Sequence, residues 1–300
     1  MRSALGPAIG LPQPDPVTGD TGYVRPRFRA APNTAFAAEV EGSVVGSNFA
    51  TRWGTFACCG PLTVRRDLWD QDIPQKLLEP VLDLFDRWNT RLAGLFTFAD
   101  NTKQHALYEK MGFRKRELTL VGTKSIEAKA HFAGAAERKG WSTFSDAPAS
   151  KRESLLLECR TVAETVFPGL DLKSEIAATT KHELGDSILV RDDAGLAAFA
   201  VCHVGRGSEA GNGNCYVKFG AARSGLRAEQ NFERLLQAIE AFAREREARM
   251  LVAGVNTART AAYKKFAMSG FREGIAGFAM LRPNQAGFNR PEAYVLDDWR

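Results

Sequence analysis

Residues 101–114 read NTKQHALYEKMGFR, and residues 256–272 read NTARTAAYKKFAMSGFR. Each begins on an Asn, carries a Tyr seven positions later (Tyr108, Tyr263) and closes on Gly-Phe-Arg: Gly112-Phe113-Arg114 and Gly270-Phe271-Arg272. Upstream of each lies an amphipathic stretch with a Leu pair, Leu77-Leu78 and Leu235-Leu236. The Leu pairs and the Gly-Phe-Arg triplets are separated by the same 158 residues. Two landmarks sharing one offset mark a duplicated unit, and a repeat of that length is a domain.

Around each copy the hydrophobic period alternates between that of strands and that of helices. Residues 36–49 hold two short apolar runs split by Glu41-Gly42, a hairpin signal, and residues 56–64 a strand kinked at Gly60-Pro61. Leu77, Leu78, Val81, Phe85 and Trp88 lie on one helical stripe, with Asp72 and Gln75 as a capping-box start and Pro80 expected to bend it. A strand at 93–99, a helix at 102–111 and a strand at 113–121 close the first unit. Residues 123–140 read as a linker. The second unit has a strand near 141–144 and helices at about 149–166 and 171–183. Strands follow at 187–192, 196–204 and 214–221, then a helix at 227–247, a strand at 249–255, a helix at 257–269 and a strand at 274–281. Residues 1–33 read as a Pro/Gly-rich arm, and 284–300 carry no strong pattern. The expected domains are thus 1–122 and 141–300, of mixed α/β order.

Hydrophobic content of 44% and charged content of 25% are those of a globular protein. The net charge of +5 is spread along the chain with no Lys/Arg run, which speaks against nucleic acid as a partner. No apolar run reaches the ~18 residues of a membrane span. Five cysteines without metal-like spacing read as reduced thiols in a cytoplasm. The four histidines form no metal-ligand pair, so no metal site is expected.

On the Leu pairs and the Asn…Tyr…Gly-Phe elements, the chain resembles the GNAT acetyltransferase superfamily, in a tandem arrangement covering roughly 36–121 and 141–283. The resemblance implies two domains, each a mixed, mostly antiparallel twisted sheet with a splayed central parallel strand pair flanked by helices. It implies acetyl-CoA as acyl donor and an amine as acceptor, with direct attack of the amine on the thioester. Tyr108 and Tyr263 stand at the family's general-acid position, and Asn101 and Asn256 at that of a pantetheine ligand or helix cap. The backbone of Leu62, Thr63 and Val64, or of Phe219, Gly220 and Ala221, would pair with the pantetheine amides as an added strand does.

The family's diphosphate loop is glycine-rich; here its positions are held by Trp69, Asp70, Asp72 and Pro74 in one copy and Arg227, Ala228, Gln230 and Phe232 in the other. Asp72 reads as a helix N-cap that competes with phosphate for the same N–H groups. Residues 65–76 balance three basic against three acidic side chains, whereas Lys218, Arg223 and Arg227 outweigh Glu229 in residues 218–230. The second loop is therefore the better diphosphate host, and the second unit alone carries the helices at 149–183 that shape the family's acceptor wall. The expected catalyst is the C-terminal unit, with the first unit degenerate. The competing expectation is a non-catalytic acyl-CoA sensor or scaffold. No carboxylate stands out as general base; Glu39 and Glu41 read as solvent-facing hairpin residues.

Overall fold

A computed structural model describes residues 22–69, 71–127, 138 and 140–300. Most of the expected arm, Asp70 and most of the expected linker lie outside the described residues. A short helix α1 (Val24–Ala30) falls where an unstructured arm was expected. It is held by a buried ion pair, Arg27 Nη2 to Glu209 Oε2 at 2.9 Å, which reaches across to the second unit.

The first unit continues with β1 (Ala35–Val40) and β2 (Ser43–Trp53) as a hairpin. Its turn places Glu41 and Gly42 at φ 50° and 75°, the pair of positive values that matches strand twist. Then come β3 (Phe56–Cys59), β4 (Thr63–Val64), α2 (Ile73–Arg87), β5 (Leu92–Phe98), α3 (Thr102–Lys110) and β6 (Arg114–Ser125). Pro80 sits inside α2 without ending it. The expected capping box does not form: Asp72 makes no side-chain cap bond, and Gln75 is engaged with Glu79 and Lys110.

The second unit holds β7 (Trp141–Thr143), α4 (Ala149–Val166), α5 (Lys173–Lys181), β8 (Gly185–Asp192), β9 (Gly195–Gly205) and β10 (Gly211–Ala222). It is completed by α6 (Ala228–Glu245), β11 (Met250–Asn256), α7 (Thr260–Met268) and β12 (Arg272–Arg282). The patternless tail contributes a further strand, β13 (Val295–Asp297).

The strands form one sheet in the order β1-β2-β3-β5-β12-β6-β11-β10-β9-β8-β7. The last strand of each unit lies in the other unit's half: β12 pairs with β5, and β6 with β11. On one face, α2 and α3 pack Leu78, Val81, Phe85 and Tyr108 over the first half, and α6 with α7 pack Phe232, Leu235, Phe242 and Phe266 over the second. The opposite face is covered by α4, α5 and the tail, whose core takes in Trp53 and Phe56 of the first unit beside Phe199 and Phe219 of the second.

The α4–α5 loop also docks on the β2–β3 turn. Thr55 N–H donates to Gly169 O at 3.0 Å, and Thr55 Oγ1 to Pro168 O at 2.6 Å. A Cβ on Gly54, at φ 67°, would lie 2.0 Å from Gly169 O, so only glycine permits this approach.

Candidate active site

In each unit a parallel pair opens partway along its length. Phe56, Ala57 and Cys58 of β3 pair with Leu92, Ala93 and Gly94 of β5. Asn214 to Val217 of β10 pair with Met250 to Ala253 of β11. The two ladders start at positions related by the 158-residue offset of the repeat. Beyond them the strands diverge, and the two splays differ in what fills them.

In the first unit the chain turns away at Gly60, whose φ of 131° favours glycine, and among the described residues β4 then pairs only with β2, Thr63 facing Ser47 and Val64 facing Gly46. Arg65 N–H donates to Val45 O at 2.7 Å. Alternation along an antiparallel ladder therefore turns the N–H and C=O of Leu62 and Val64 outward, to the side where β5 has departed. The Val64 carbonyl accepts the Trp69 indole N–H at 2.9 Å. Leu62, Thr63 and Val64 are half-buried, and Trp69 is exposed.

Tyr108 projects from α3 onto this face. It is 5% exposed, with its ring edge-on to Phe113. Burial and the neighbouring Cys59 both raise its pKa, so the phenol keeps its proton at neutral pH. Cys59 is the last residue of β3, which sets Tyr108 where the strands part. Asn101 caps α3, its Oδ1 accepting from Gln104 N–H at 3.1 Å.

The second splay is closed by the protein itself. Phe219, Gly220 and Ala221 pair with Val201, Ala200 and Phe199 of β9 on one side and with Asp297, Leu296 and Val295 of β13 on the other. Their backbone was the expected partner of an added ligand strand; the tail takes that place. Arg259, fully buried at the start of α7, fastens the tail through Val295 O (3.1 Å), Asn289 Oδ1 (2.7 Å) and Asp297 Oδ1 (2.8 Å).

The basic loop of this unit is internally neutralised. Arg223 makes two bonds to the Asp192 carboxylate, at 2.8 and 2.9 Å, and Arg227 lies 3.9 Å from the same group. Ala228 is buried in the first turn of α6. Asp192 ends β8, far upstream, so the charge count of residues 218–230 did not include it.

Tyr263 does not match Tyr108. Its hydroxyl donates to Glu273 Oε1 at 2.8 Å in an exposed pair, and that bond raises its pKa. Helices α3 and α7 superpose in sequence at the 158-residue offset, which sets Phe266 opposite Tyr108 and Arg259 opposite Asn101. Phe266 is buried and stacked on Phe271 at 4.1 Å. Asn256, at the end of β11, is buried and bonded to Glu117 O, Thr119 Oγ1 and Ala258 N–H, which ties it to β6. The repeat's own offset carried this signal: the Tyr-to-Gly interval differs between the copies while the flanking landmarks do not.

Residues 10–113 match the model of the Acetyltransferase (GNAT) family, a match confined to the first half. A putative acetyltransferase from Pyrococcus horikoshii superposes with a TM-score of 0.65 at 13% identity, over 97% of this chain and 88% of that one. A tandem GNAT protein from the clavulanic acid biosynthesis pathway superposes with a TM-score of 0.50 at 14% identity, over 85% of each chain. The chain has the tandem GNAT fold. A GCN5-related N-acetyltransferase from Sphaerobacter thermophilus shares this GNAT architecture at a TM-score of 0.53 and 14% identity, over 83% of this chain and 80% of that one. No curated protein matches the sequence. A GNAT sheet, with the family match over residues 10–113, fits acyl transfer in general.

Proposed function

We propose that the chain is an acyltransferase that moves an acetyl group from acetyl-CoA to an amine, and that the N-terminal unit, rather than the C-terminal one, holds the donor. The observation that carries this reading is the asymmetry of the splays. The second is filled by β13 and has Phe266 where an acid is needed; the first has Tyr108 and an edge that no strand covers among the described residues.

In this reading the outward N–H and C=O groups of Leu62 and Val64 hold the pantetheine amides, with Thr63 fixing β4 to β2 behind them and Asn101 setting the start of α3. The neutral amine attacks the thioester carbonyl, the C–S bond breaks, Tyr108 gives its proton to the departing thiolate, and the proton shed by the amine nitrogen returns through water to the Tyr108 phenolate. A phenol kept protonated by burial suits that task, since it has a proton to give throughout the neutral range. Free, buried cysteines fit a cytoplasmic setting, where thiols stay reduced.

A non-catalytic acyl-CoA sensor is favoured by one observation, the Trp69 indole lying on the Val64 carbonyl that a donor's amide would use. Calorimetric titration with acetyl-CoA separates the sites. Binding to one site, unchanged by Arg227→Glu and altered by Trp69→Ala, supports the first unit. Loss of binding with Arg227→Glu returns the donor to the second. Binding without acetyl transfer to any amine supports the sensor.

A further inference from the structure

Between the two units, on the sheet face opposite Tyr108, lies a cavity of about 220 Å³. Its floor and mouth include Arg52 of β2, Trp88, Glu175 of α5, His203 of β9, Glu209 of the β9–β10 loop and Lys218 of β10. Ala50 and Thr51 also line it, and these pair directly with Cys59 and Cys58, the last residues of β3 before the first splay. The cavity is thus one strand spacing, ~5 Å, from the point where the strands part. Neither unit forms it alone.

The buried charges in its floor already balance. Lys218 Nζ lies 2.9 Å from Glu175 Oε1 and 2.7 Å from Glu209 Oε1, and Arg27 makes a two-point contact with Glu209. Trp53 Nε1 donates to Glu175 Oε2 at 3.2 Å. One group is left over. His203 has no exposed surface, its Nε2 meets Thr179 Oγ1 at 3.3 Å, and its Nδ1 has no hydrogen-bond partner among the described residues. Such an orphan in a cavity wall points to a ligand that completes it. At the mouth, exposed Arg52 lies over the Trp88 ring at 5.7 Å and uses Nε and one Nη on Gly54 O and Trp88 O, which leaves donors free among the described residues.

A lone carboxylate would meet Arg52 at the mouth but leave the orphan His203 nitrogen unmet, and a lone ammonium would add an uncompensated charge to a neutral buried network, at high cost. A zwitterion adds none. We propose that the cavity binds a small zwitterionic amine of the α-amino acid class, its ammonium on Glu175 and His203 and its carboxylate on Arg52. The inference rests on the acyl-transfer reading only for the role of this amine as acceptor; its binding does not depend on acetyl-CoA.

The test is calorimetric titration of the full chain, without acetyl-CoA, with each common L-α-amino acid and with its α-amide and N-acetyl derivative. At least one free amino acid is expected to bind, and both derivatives to bind at least about tenfold more weakly. Arg52→Glu and Ser174→Trp, both at exposed positions on the rim, are each expected to weaken binding at least about tenfold with an unchanged circular dichroism spectrum. No binding by any amino acid at millimolar concentration, or binding that both variants leave intact, overturns the proposal. Amino-acid binding without acetylation leaves it standing and removes the acyl-transfer reading. Acetylation of other amines without amino-acid binding does the reverse.

Discussion

Tyr108 and Phe266 occupy the same place in their helices, and one oxygen atom separates them. In the proposed reading, that atom decides which unit has a proton to give at its splay. Tyr108→Phe keeps the ring packing against Phe113 and removes only the hydroxyl. It is expected to lower kcat about 100-fold while KM for acetyl-CoA stays within about twofold; steady-state kinetics with a reactive amine reads both. Tyr263→Phe, which breaks only an exposed bond to Glu273, is expected to change neither. A second residue-scale effect belongs to His203. Burial, aided by the Lys218 charge, lowers its pKa from 6.5 to about 4. Below its ordinary value the unfolded chain takes up a proton that the folded cavity refuses. Stability is therefore lost as pH falls from 6.5 to about 4 and levels off beneath, by ~3 kcal/mol in all. Thermal melts across that range should show the decline, and His203→Gln should flatten it there. The carboxylates of Glu175 and Glu209, whose pKa values are lowered by Lys218, Arg27 and His203 against the effect of burial, lose their contribution only as pH falls through the carboxylate range.

At the scale of elements, the helices with long apolar stripes and the hairpin with a two-residue turn were legible because each carries its own period and punctuation. Three elements were not. Helix α1 is short and contains Pro26, and its anchor is the ion pair from Arg27 to Glu209, a contact across most of the chain. The cap expected of Asp72 is absent because sequence shows the residue type and not the direction of its carboxylate. Strand β13 is three residues long, too short for any period, and it owes its place to Arg259 and to the open edge of β10. That dependence is testable. Arg259 is fully buried, and Asp297 is its only carboxylate partner among the described residues. Removing one partner of a buried pair leaves the other charge uncompensated. Asp297→Ala is expected to destabilise the protein by ~3–5 kcal/mol, read as a lowered midpoint in urea unfolding with an unchanged slope.

For the molecule as a whole, the repeat was visible in the sequence but the pairing of its strands was not. β6 and β12 both follow a Gly-Phe element at the same offset, and a strand's alternation fixes which face it buries, not which neighbour it takes. Each strand went to the other half. Met250 to Asn256 of β11 pair with Ser125 to Thr119 of β6, and Gly277 to Arg282 of β12 pair with Phe98 to Ala93 of β5. The exchange also explains the buried site of Asn256, which bonds to Glu117 and Thr119 of β6 and so acts as a clasp between the halves. A half produced alone would leave β5 or β11 with a bare edge and β6 or β12 without both neighbours, an arrangement that favours association over folding. Residues 22–127 and 138–300, produced separately, are therefore expected to show no cooperative thermal transition. Produced together, they are expected to form a one-to-one complex with a single transition. If the second half alone were monomeric and melted cooperatively, β12 would have folded back beside β11, and the exchange would be a choice of the full chain instead of a condition of its stability.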